Sequence, residues 1–209
     1  MSPLLFCVYL CPVIMFWRIC PFRRSLPLKM ETAPESLLRR YCGQNDPLFE
    51  VLLSHSRSVA DKALDIAKRH PELGADTQFL YEGAMLHDVG IVSCNAPDIY
   101  CYGTEPYIRH GVIGEGMLLE EGLERHARVA ARHTGCGLSL SSIIAQDLPL
   151  PRMDLLPETI EEQIICFADK FFSKMRLGQE KTLEHARRSL EKFGPDGLER
   201  FDAWCRIML

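Results

Sequence analysis

Apolar residues recur with helical spacing along most of the chain after Met30, and no segment keeps the period-two alternation of a half-buried strand. Helix-start signals accompany this spacing, such as the capping box of Thr32 and Glu35 and the pair Asp46-Pro47. The pattern predicts an all-α fold, a single helical bundle of about seven to nine helices. We expect the helices near residues 32–41, 46–70, 76–88, 106–121, 123–134, 139–146, 158–176, 180–193 and 196–208.

Residues 91–105 interrupt this pattern. They are rich in turn-forming residues and show no periodicity, so they predict a loop without strands. Residues 91–109 lead from the pair His87-Asp88 to His110, which makes them a candidate lid over any site that these residues build. Aromatic rings of this region could stack on a base, although ordinary packing is an equal alternative. These rings belong to Tyr100, Tyr102 and Tyr107.

Residues 1–29 differ from the rest of the chain. Leu4–Trp17 is an apolar run of 14 residues, shorter than the roughly 20 that span a bilayer as a helix, and Pro12 interrupts it. Basic residues follow the run, whereas a secretory signal places them before it. Three interpretations remain: a mis-assigned start with translation from Met30, a weak membrane anchor, or a packed part of the fold. We therefore treat 1–29 as an extension and 30–209 as the domain.

Charge and cysteine usage narrow the class of protein. The net charge is −4, and residues 1–29 carry four basic side chains and no acid, so the remainder of the chain carries −8. An acidic body argues against nucleic-acid binding, which requires a basic surface. The nine cysteines have no regular spacing and do not indicate a disulfide framework. A reducing compartment is expected, which places the protein in the cytoplasm.

Asp169 and His55 each fall on the apolar face of a predicted helix. Ile165 shares the face of Asp169, while Leu52 and Val59 share the face of His55. A carboxylate that faces a core is costly unless it is paired or bound to a metal. Because Asp169 is expected inside a helix, we do not interpret it as a cap, which leaves a metal site or a buried salt bridge. A single core histidine such as His55 is more often a hydrogen-bonded structural residue than a ligand.

Four further candidate ligands stand at or near predicted helix ends. His87 and Asp88 close one helix, His110 lies just inside another, and His133 stands in the last turn of a third. Inward-facing groups from five segments, two carboxylates among them, would repel or desolvate one another unless a cation held them together. The remaining histidines are excluded as ligands, because we expect them at a helix C-terminus or on a partly or fully solvated face; they are His70, His126 and His185.

The order and local context of these residues resemble the HD superfamily of metal-dependent phosphohydrolases over roughly residues 46–176. The strings that carry the resemblance are His87-Asp88, His110-Gly111, His133-Thr134 and Ala168-Asp169-Lys170. In that superfamily the first histidine, the HD pair and a late aspartate hold one metal ion. The resemblance thus implies a first ligand set of His55, His87, Asp88 and Asp169. It implies that His110 and His133 hold a second ion, with Asp88 as the bridge.

The resemblance also implies the chemistry. The flanking strings are closest in pattern to the bacterial symmetrical dinucleoside-tetraphosphatases, which often carry a lysine where this chain has Ile91, so the substrate stays open. We expect two divalent ions, iron or manganese with zinc as an alternative, because imidazole and carboxylate ligands suit these metals. The implied reaction is hydrolysis of a phosphate ester or anhydride, expected to be that of a nucleotide, by a metal-activated water.

Residues around the ligands are candidates for catalysis and substrate binding. Asp88 and Lys170 are the catalytic candidates. Basic or hydroxyl side chains near the ligands are candidates for binding phosphate, with a solvated surface as the alternative; they are Arg109, Arg132, Thr134, Lys174 and Arg176. The expected partner is a small phosphate ester and no nucleic acid. Membrane contact is expected only through residues 1–29, and a homodimer is left open.

Two other functions fit the same ligand set. One is a catalytically quiet HD protein that binds a nucleotide or a metal as a sensor. The other is a di-iron oxygenase, since a mixed histidine and carboxylate site also activates oxygen. Phosphate release, tight nucleotide binding without turnover, and oxygen consumption with reduced iron distinguish the three.

Overall fold

Nine α-helices form most of residues 33–209, the part of the chain that the computed structural model describes. The prediction of an all-α fold is therefore confirmed. The interpretations of residues 1–29 lie outside the described residues. The helices are α1 (Pro34–Cys42), α2 (Asp46–Arg69), α3 (Thr77–Leu86), α4 (His110–Glu120), α5 (Glu124–Arg132), α6 (Leu140–Ala145), α7 (Ile160–Asp169), α8 (Leu183–Arg188) and α9 (Pro195–Met208).

Side-chain caps set the start of most of the predicted helices. The side chain of Asn45 accepts a hydrogen bond from an amide in the first turn of α2, and Asp76 does the same for α3. Helix α1 differs from the prediction. It begins after Ala33 without a side-chain cap, and Glu35 accepts a hydrogen bond from the hydroxyl of Tyr81 instead of closing a capping box. Thr32, the other half of that predicted box, lies outside the described residues.

Helix α2 is the central element of the core. It packs against α1, α3 and α7, while α4 packs against α5. Helix α9 covers α7, where the rings of Phe167 and Phe201 lie 5.2 Å apart between centroids. Burial of each such side chain stabilises the fold by about 1.5–3 kcal/mol. The largest fully buried side chains of the described part include Leu38, Leu52, Ile66, Leu80, Met85 and Leu86.

The segment predicted as a strandless loop contains a small β-hairpin. Strand β1 (Asn95–Ala96) pairs in antiparallel register with β2 (Cys101–Tyr102), so the prediction of no strand was wrong for these four residues. Two-residue strands are too short to show alternation in the sequence, which is why the pattern missed them. The hairpin is anchored by Ile99 and Cys101, which are buried in a small apolar cluster with the start of α2.

Two C-terminal helices are shorter than predicted, because the chain turns away after α7. Helix α7 ends at Asp169 and α8 has only six residues. The Lys170 ammonium donates a hydrogen bond to the carbonyl of His133 at 3.0 Å. The backbone amide of Lys181 donates to the carbonyl of Phe171 at 2.8 Å and brings the chain back. These tertiary contacts outweigh the helix propensity of residues 170–182.

Two further predictions concern membranes and disulfides. In residues 33–209 no helix is long and apolar enough to cross a membrane. All six cysteines in this range are free thiols, and five of them are buried.

Candidate metal centre

The structure brings the six predicted ligands together in the middle of the bundle, and five of the six stand at helix ends. His87 caps the C-terminus of α3 and Asp88 follows it directly. His110 is the first residue of α4, and His133 caps the C-terminus of α5. Asp169 is the last residue of α7, so its predicted position inside a helix was wrong. The sixth ligand, His55, lies within α2 and points into the core.

One ligand set surrounds one oxygen of Asp88. His55 Nε2 lies 3.1 Å from Asp88 Oδ2 and 3.1 Å from Asp169 Oδ1. His87 Nε2 lies 3.0 Å from the same Asp88 oxygen. The potential ligand atoms of these four residues all lie within 4.8 Å of one another. Such a set could hold one metal ion with two nitrogen and two oxygen ligands.

A second ligand set surrounds the other oxygen of Asp88. His110 Nε2 and His133 Nε2 lie 3.5 Å and 3.4 Å from Asp88 Oδ1. The two ring nitrogens are 2.9 Å apart and both are buried. Asp88 therefore presents one carboxylate oxygen to each ligand set. This is the arrangement expected of a carboxylate that bridges two ions.

The ring orientation of three histidines is fixed by backbone carbonyls. In His87, His110 and His133 the Nδ1 atom hydrogen-bonds to the carbonyl oxygen three residues earlier in the chain. A carbonyl only accepts, so each Nδ1 carries a proton, and Nε2 is the ring nitrogen that faces the centre and could bind a metal ion. The accepting carbonyls are those of Ala84, Tyr107 and Ala130, at 2.6, 2.7 and 2.8 Å.

Buried atoms without hydrogen bonds identify the place where a cation fits. Nε2 of His55, Nε2 of His87 and both carboxylate oxygens of Asp88 are buried and form no hydrogen bond of good geometry with any described residue. A buried polar atom without a partner costs about 1–3 kcal/mol. Binding of one cation in each ligand set would satisfy all four atoms. The donor set thus fits a divalent transition metal.

Comparison with known proteins agrees with this geometry. A family model described as HD domain matches residues 52–173, which include all six predicted ligands. The chain belongs to the HD domain family. Family membership and the buried His/Asp cluster together indicate a metal-dependent hydrolase. The matching model covers the HD family as a whole and does not distinguish the dinucleoside-tetraphosphatase branch.

Three relatives match the chain over different shares of their own lengths. An uncharacterized protein of Methanocaldococcus jannaschii is 29% identical over 77% of this chain and 86% of its own length. A tRNA (cytidine(56)-2'-O)-methyltransferase of Thermoplasma volcanium is 30% identical over 66% of this chain. The enzyme of that name from Picrophilus torridus is 32% identical over 61%. The chain spans only 37% and 33% of those two methyltransferases. No solved structure matches the chain.

Charges around the HD residues keep both carboxylates ionised. Burial raises the pKa of Asp88, but the charges of His87 and Lys174 outweigh burial and hold this pKa well below its usual range. Burial acts in the same way on Asp169, and the ammonium of Lys170 outweighs it. Burial alone would lower the pKa of His87. The neighbouring carboxylates of Asp88 and Asp169 outweigh burial and raise this pKa to about 9. The site formed by the six predicted ligands therefore strongly favours a positive charge beside the carboxylates of Asp88 and Asp169.

A cavity of about 730 Å³ opens beside the six predicted ligands. His110, His133 and Asp169 lie in its lining, together with Tyr107. The predicted lid borders the cavity through the residues around the hairpin, Ala96, Asp98 and Ile99. Tyr100 and Tyr102 are 44% and 71% exposed and do not line it. Of the three lid tyrosines, the structure thus brings only Tyr107 to the cavity.

The structure places the predicted catalytic and substrate-binding residues in different environments. Thr134, Lys170 and Lys174 line the cavity. Arg109 lies outside the lining, 3.4 Å from Glu105. The other two arginines also lie outside it. Arg132 pairs with Glu158 at 2.8 Å, and Arg176 borders a separate pocket of about 310 Å³.

Sequence reasoning missed two lysines of the cavity and misjudged one excluded histidine. Lys181 and Lys192 line the cavity, although sequence reasoning assigned them no role in the helix predicted near residues 180–193. No local signal marks them, because tertiary contacts place them. His126 was expected to be partly exposed, but it is buried and lies 3.2 Å from Glu82. It belongs to neither ligand set, and the same is true of His70 and His185.

Close backbone contact at Gly90 positions His110 beside the HD pair. A Cβ atom at residue 90 would lie 2.1 Å from the carbonyl oxygen of His110 and 2.4 Å from the amide nitrogen of Gly114. These are backbone atoms, so no side-chain rotation relieves the overlap. The absence of a side chain at Gly90 allows α4 to approach the segment that follows Asp88.

Gly90→Ala is expected to destabilise the protein by about 1–3 kcal/mol, because backbone must move to accommodate the methyl group. Gly116→Ala is the control, since it adds the same methyl group to α4 with no atom within 4 Å. The control should raise stability by up to about 1 kcal/mol through helix propensity. Urea unfolding of both variants measures the difference. Equal unfolding midpoints for the Gly90 variant and the unchanged protein would contradict this steric argument.

Proposed function

We propose that this protein is a two-metal phosphohydrolase that cleaves a phosphate ester or anhydride of a small molecule, a nucleotide or a compound of similar size. One observation carries the proposal. Asp88 presents one oxygen to each of two ligand sets, and the cavity above these sets is lined by lysine ammonium groups. Phosphoryl transfer needs this combination, because both the nucleophile and the phosphate oxygens carry negative charge.

The residues of the site have distinct proposed roles. When bound, two divalent cations lower the pKa of a coordinated water and supply a nucleophile near neutral pH. Asp88 would hold both ions. Lys170 is held between the carboxylate of Asp169 at 2.7 Å and the carbonyl of His133 at 3.0 Å, so its charge is fixed beside the reacting group. Lys174 and Thr134 would orient phosphate oxygens from the cavity wall.

The charge and volume of the cavity favour hydrolysis of an anionic small molecule over the sensor and oxygenase functions. Lysine ammonium groups beside the metals would bind the negatively charged oxygens of a phosphate ester. Activation of oxygen does not by itself require them. The volume of about 730 Å³ lies within the range of small-molecule sites. Two relatives are named tRNA methyltransferases, but the acidic body of this chain disfavours a long nucleic acid. A cytoplasmic location and a small-molecule partner complete the proposal.

Full-length protein purified without chelator is expected to contain about two transition-metal equivalents, iron or manganese before zinc. It should release phosphate from at least one nucleoside mono-, di- or bisphosphate of a panel, or cleave a dinucleoside polyphosphate into two nucleotides that chromatography separates. Chelation should stop the release, and Fe²⁺ or Mn²⁺ should restore it. Elemental analysis and phosphate release are the measurements. Undiminished release by metal-free protein would contradict the proposal, as would tight nucleotide binding without turnover or oxygen consumption by the reduced iron form.

A further inference from the structure

Four lysines line the cavity, and two of them already have carboxylate partners. The ammonium of Lys170 lies 2.7 Å from Asp169, and that of Lys174 lies 2.5 Å from Asp88. Their positive charges are thus matched by the carboxylates of the two ligand sets. The remaining two lysines of the lining are Lys181 and Lys192.

Lys181 and Lys192 carry charge that no acid of the described residues matches. Lys181 is half-buried, and its ammonium donates a hydrogen bond to the carbonyl of Lys170 at 3.0 Å. Lys192 is exposed and lies 5.0 Å above the ring of its neighbour Phe193. Within residues 33–209 neither lysine forms an ion pair. Among the described lining residues, Asp98 is the one acid besides the metal ligands, and it is exposed near the hairpin.

The electrostatics of Lys181 reflect this excess of positive charge. Burial lowers the pKa of Lys181 below its ordinary value, and the carboxylate of Asp169 opposes this only in part. The ammonium groups of Lys170, Lys174 and Lys192 lower the pKa in the same direction as burial. Mutual repulsion of like charges is relieved when an anion binds between them. The cavity wall is therefore prepared for an anionic group in addition to any phosphate at the metal centre.

We propose that Lys181 and Lys192 form a second anion subsite, which binds a phosphate group of the substrate other than the one hydrolysed. This inference rests on the proposed function, and it narrows the substrate class to small molecules with two separate phosphate groups. A phosphate monoester carries a charge of about −1.5 to −2 at neutral pH, which two ammonium groups match. Lys181 would act as a half-buried contact that the carbonyl of Lys170 holds in place, and Lys192 as an exposed contact.

The small neighbouring pocket is the competing location for such a phosphate. It shares Ser173 and Lys181 with the main cavity and adds Arg176 and His185. Its volume is about 310 Å³, and it also contains Glu180, which pairs with Lys62. An acid in the lining makes this pocket less suited to a dianion than the wall with Lys192. The two locations predict different effects for variants of Arg176 and Lys192.

The test compares adenosine 3′,5′-bisphosphate with adenosine 5′-monophosphate on the metal-loaded full-length protein. Calorimetry gives Kd and phosphate release gives kcat/KM for both compounds. We expect the bisphosphate to bind about tenfold or more tightly, because it adds charge-assisted hydrogen bonds. Lys181→Gln and Lys192→Gln should each remove most of this preference. Lys68→Gln is the matched control, since it deletes the same charge from an exposed position of α2 and should leave the preference unchanged.

The outcomes separate the subsite from the proposed reaction. A bisphosphate preference that both lysine variants abolish, without phosphate release, would support the subsite and count against the hydrolase. Phosphate release with equal affinity for both compounds would overturn the subsite alone. A preference that Arg176→Gln abolishes and Lys192→Gln leaves intact would also overturn it, because the phosphate would then occupy the neighbouring pocket. Thermal unfolding of each variant checks that the fold is retained.

Discussion

Asp88→Asn is expected to abolish metal binding at both ligand sets and to reduce phosphate release by about a thousandfold or more. Asp88 is the residue that contacts both sets, through Oδ2 near His55 and His87 and through Oδ1 near His110 and His133. An asparagine side chain keeps the shape but has no negative charge to offer either cation. Metal ions contribute several kcal/mol to such reactions, and each 1.4 kcal/mol is about a factor of ten in rate.

Metal stoichiometry and phosphate release, measured on the same preparation, test this expectation. Asp61→Asn is the control, because it makes the same carboxylate-to-amide change at an exposed position of α2. The control should retain both metals and full turnover. If Asp88→Asn kept two metal equivalents and normal activity, the bridging role would be wrong. If Asp88→Asn lost the metals but kept its activity, the reaction would not depend on metal ions, which would contradict the mechanism.

Asp169→Ala and His133→Ala are expected to lose different ions with different effects on stability. Asp169→Ala should lose the ion of the first set and leave the buried ammonium of Lys170 without its partner at 2.7 Å. Breaking a buried ion pair costs about 3–5 kcal/mol, although relief of the desolvation of Asp169 offsets part of this. His133→Ala should lose only the second ion, lower turnover strongly and change the melting temperature less.

Elemental analysis beside calorimetric melting of both variants provides the comparison. His126→Ala serves as the matched control, because it truncates another buried histidine that belongs to neither ligand set. This control should bind two ions and show full turnover. Should His133→Ala retain two metals and normal turnover, His133 is a structural histidine and the two-metal mechanism must be withdrawn.

Most of the six predicted ligands could be proposed from the sequence because they stand in short strings near predicted helix ends. His87 with Asp88, and His133 with Thr134, mark helix C-termini that the hydrophobic pattern also predicted. The resemblance to the HD superfamily then supplied their order. The family was thus evident from local features alone, and the structure added the distances between them.

Residues that surround the ligands were harder to predict. Arg132 precedes His133 in the chain, but consecutive helix residues face different directions, so Arg132 turns to Glu158 outside the cavity. Lys181 and Lys192 reach the cavity only because α7 stops at Asp169 and the chain folds back. That reversal depends on tertiary hydrogen bonds, which leave no periodic signal in the sequence. Proximity to a predicted ligand in sequence therefore identified Thr134, Lys170 and Lys174 as cavity residues, but it failed for the three arginines.

The backbone hydrogen bonds of His87, His110 and His133 make the tautomer of each ring independent of the distance between the two ligand sets. Each ring takes its proton position from a carbonyl three residues away, within a single segment of chain. The distance between the two ligand sets depends instead on how α3, α4, α5 and α7 pack. Substitutions in the core between these helices would change the spacing of the ions and leave the tautomer of each ring intact. Related chains could thus adjust that spacing for different reactions while they inherit the same proton-bearing nitrogens.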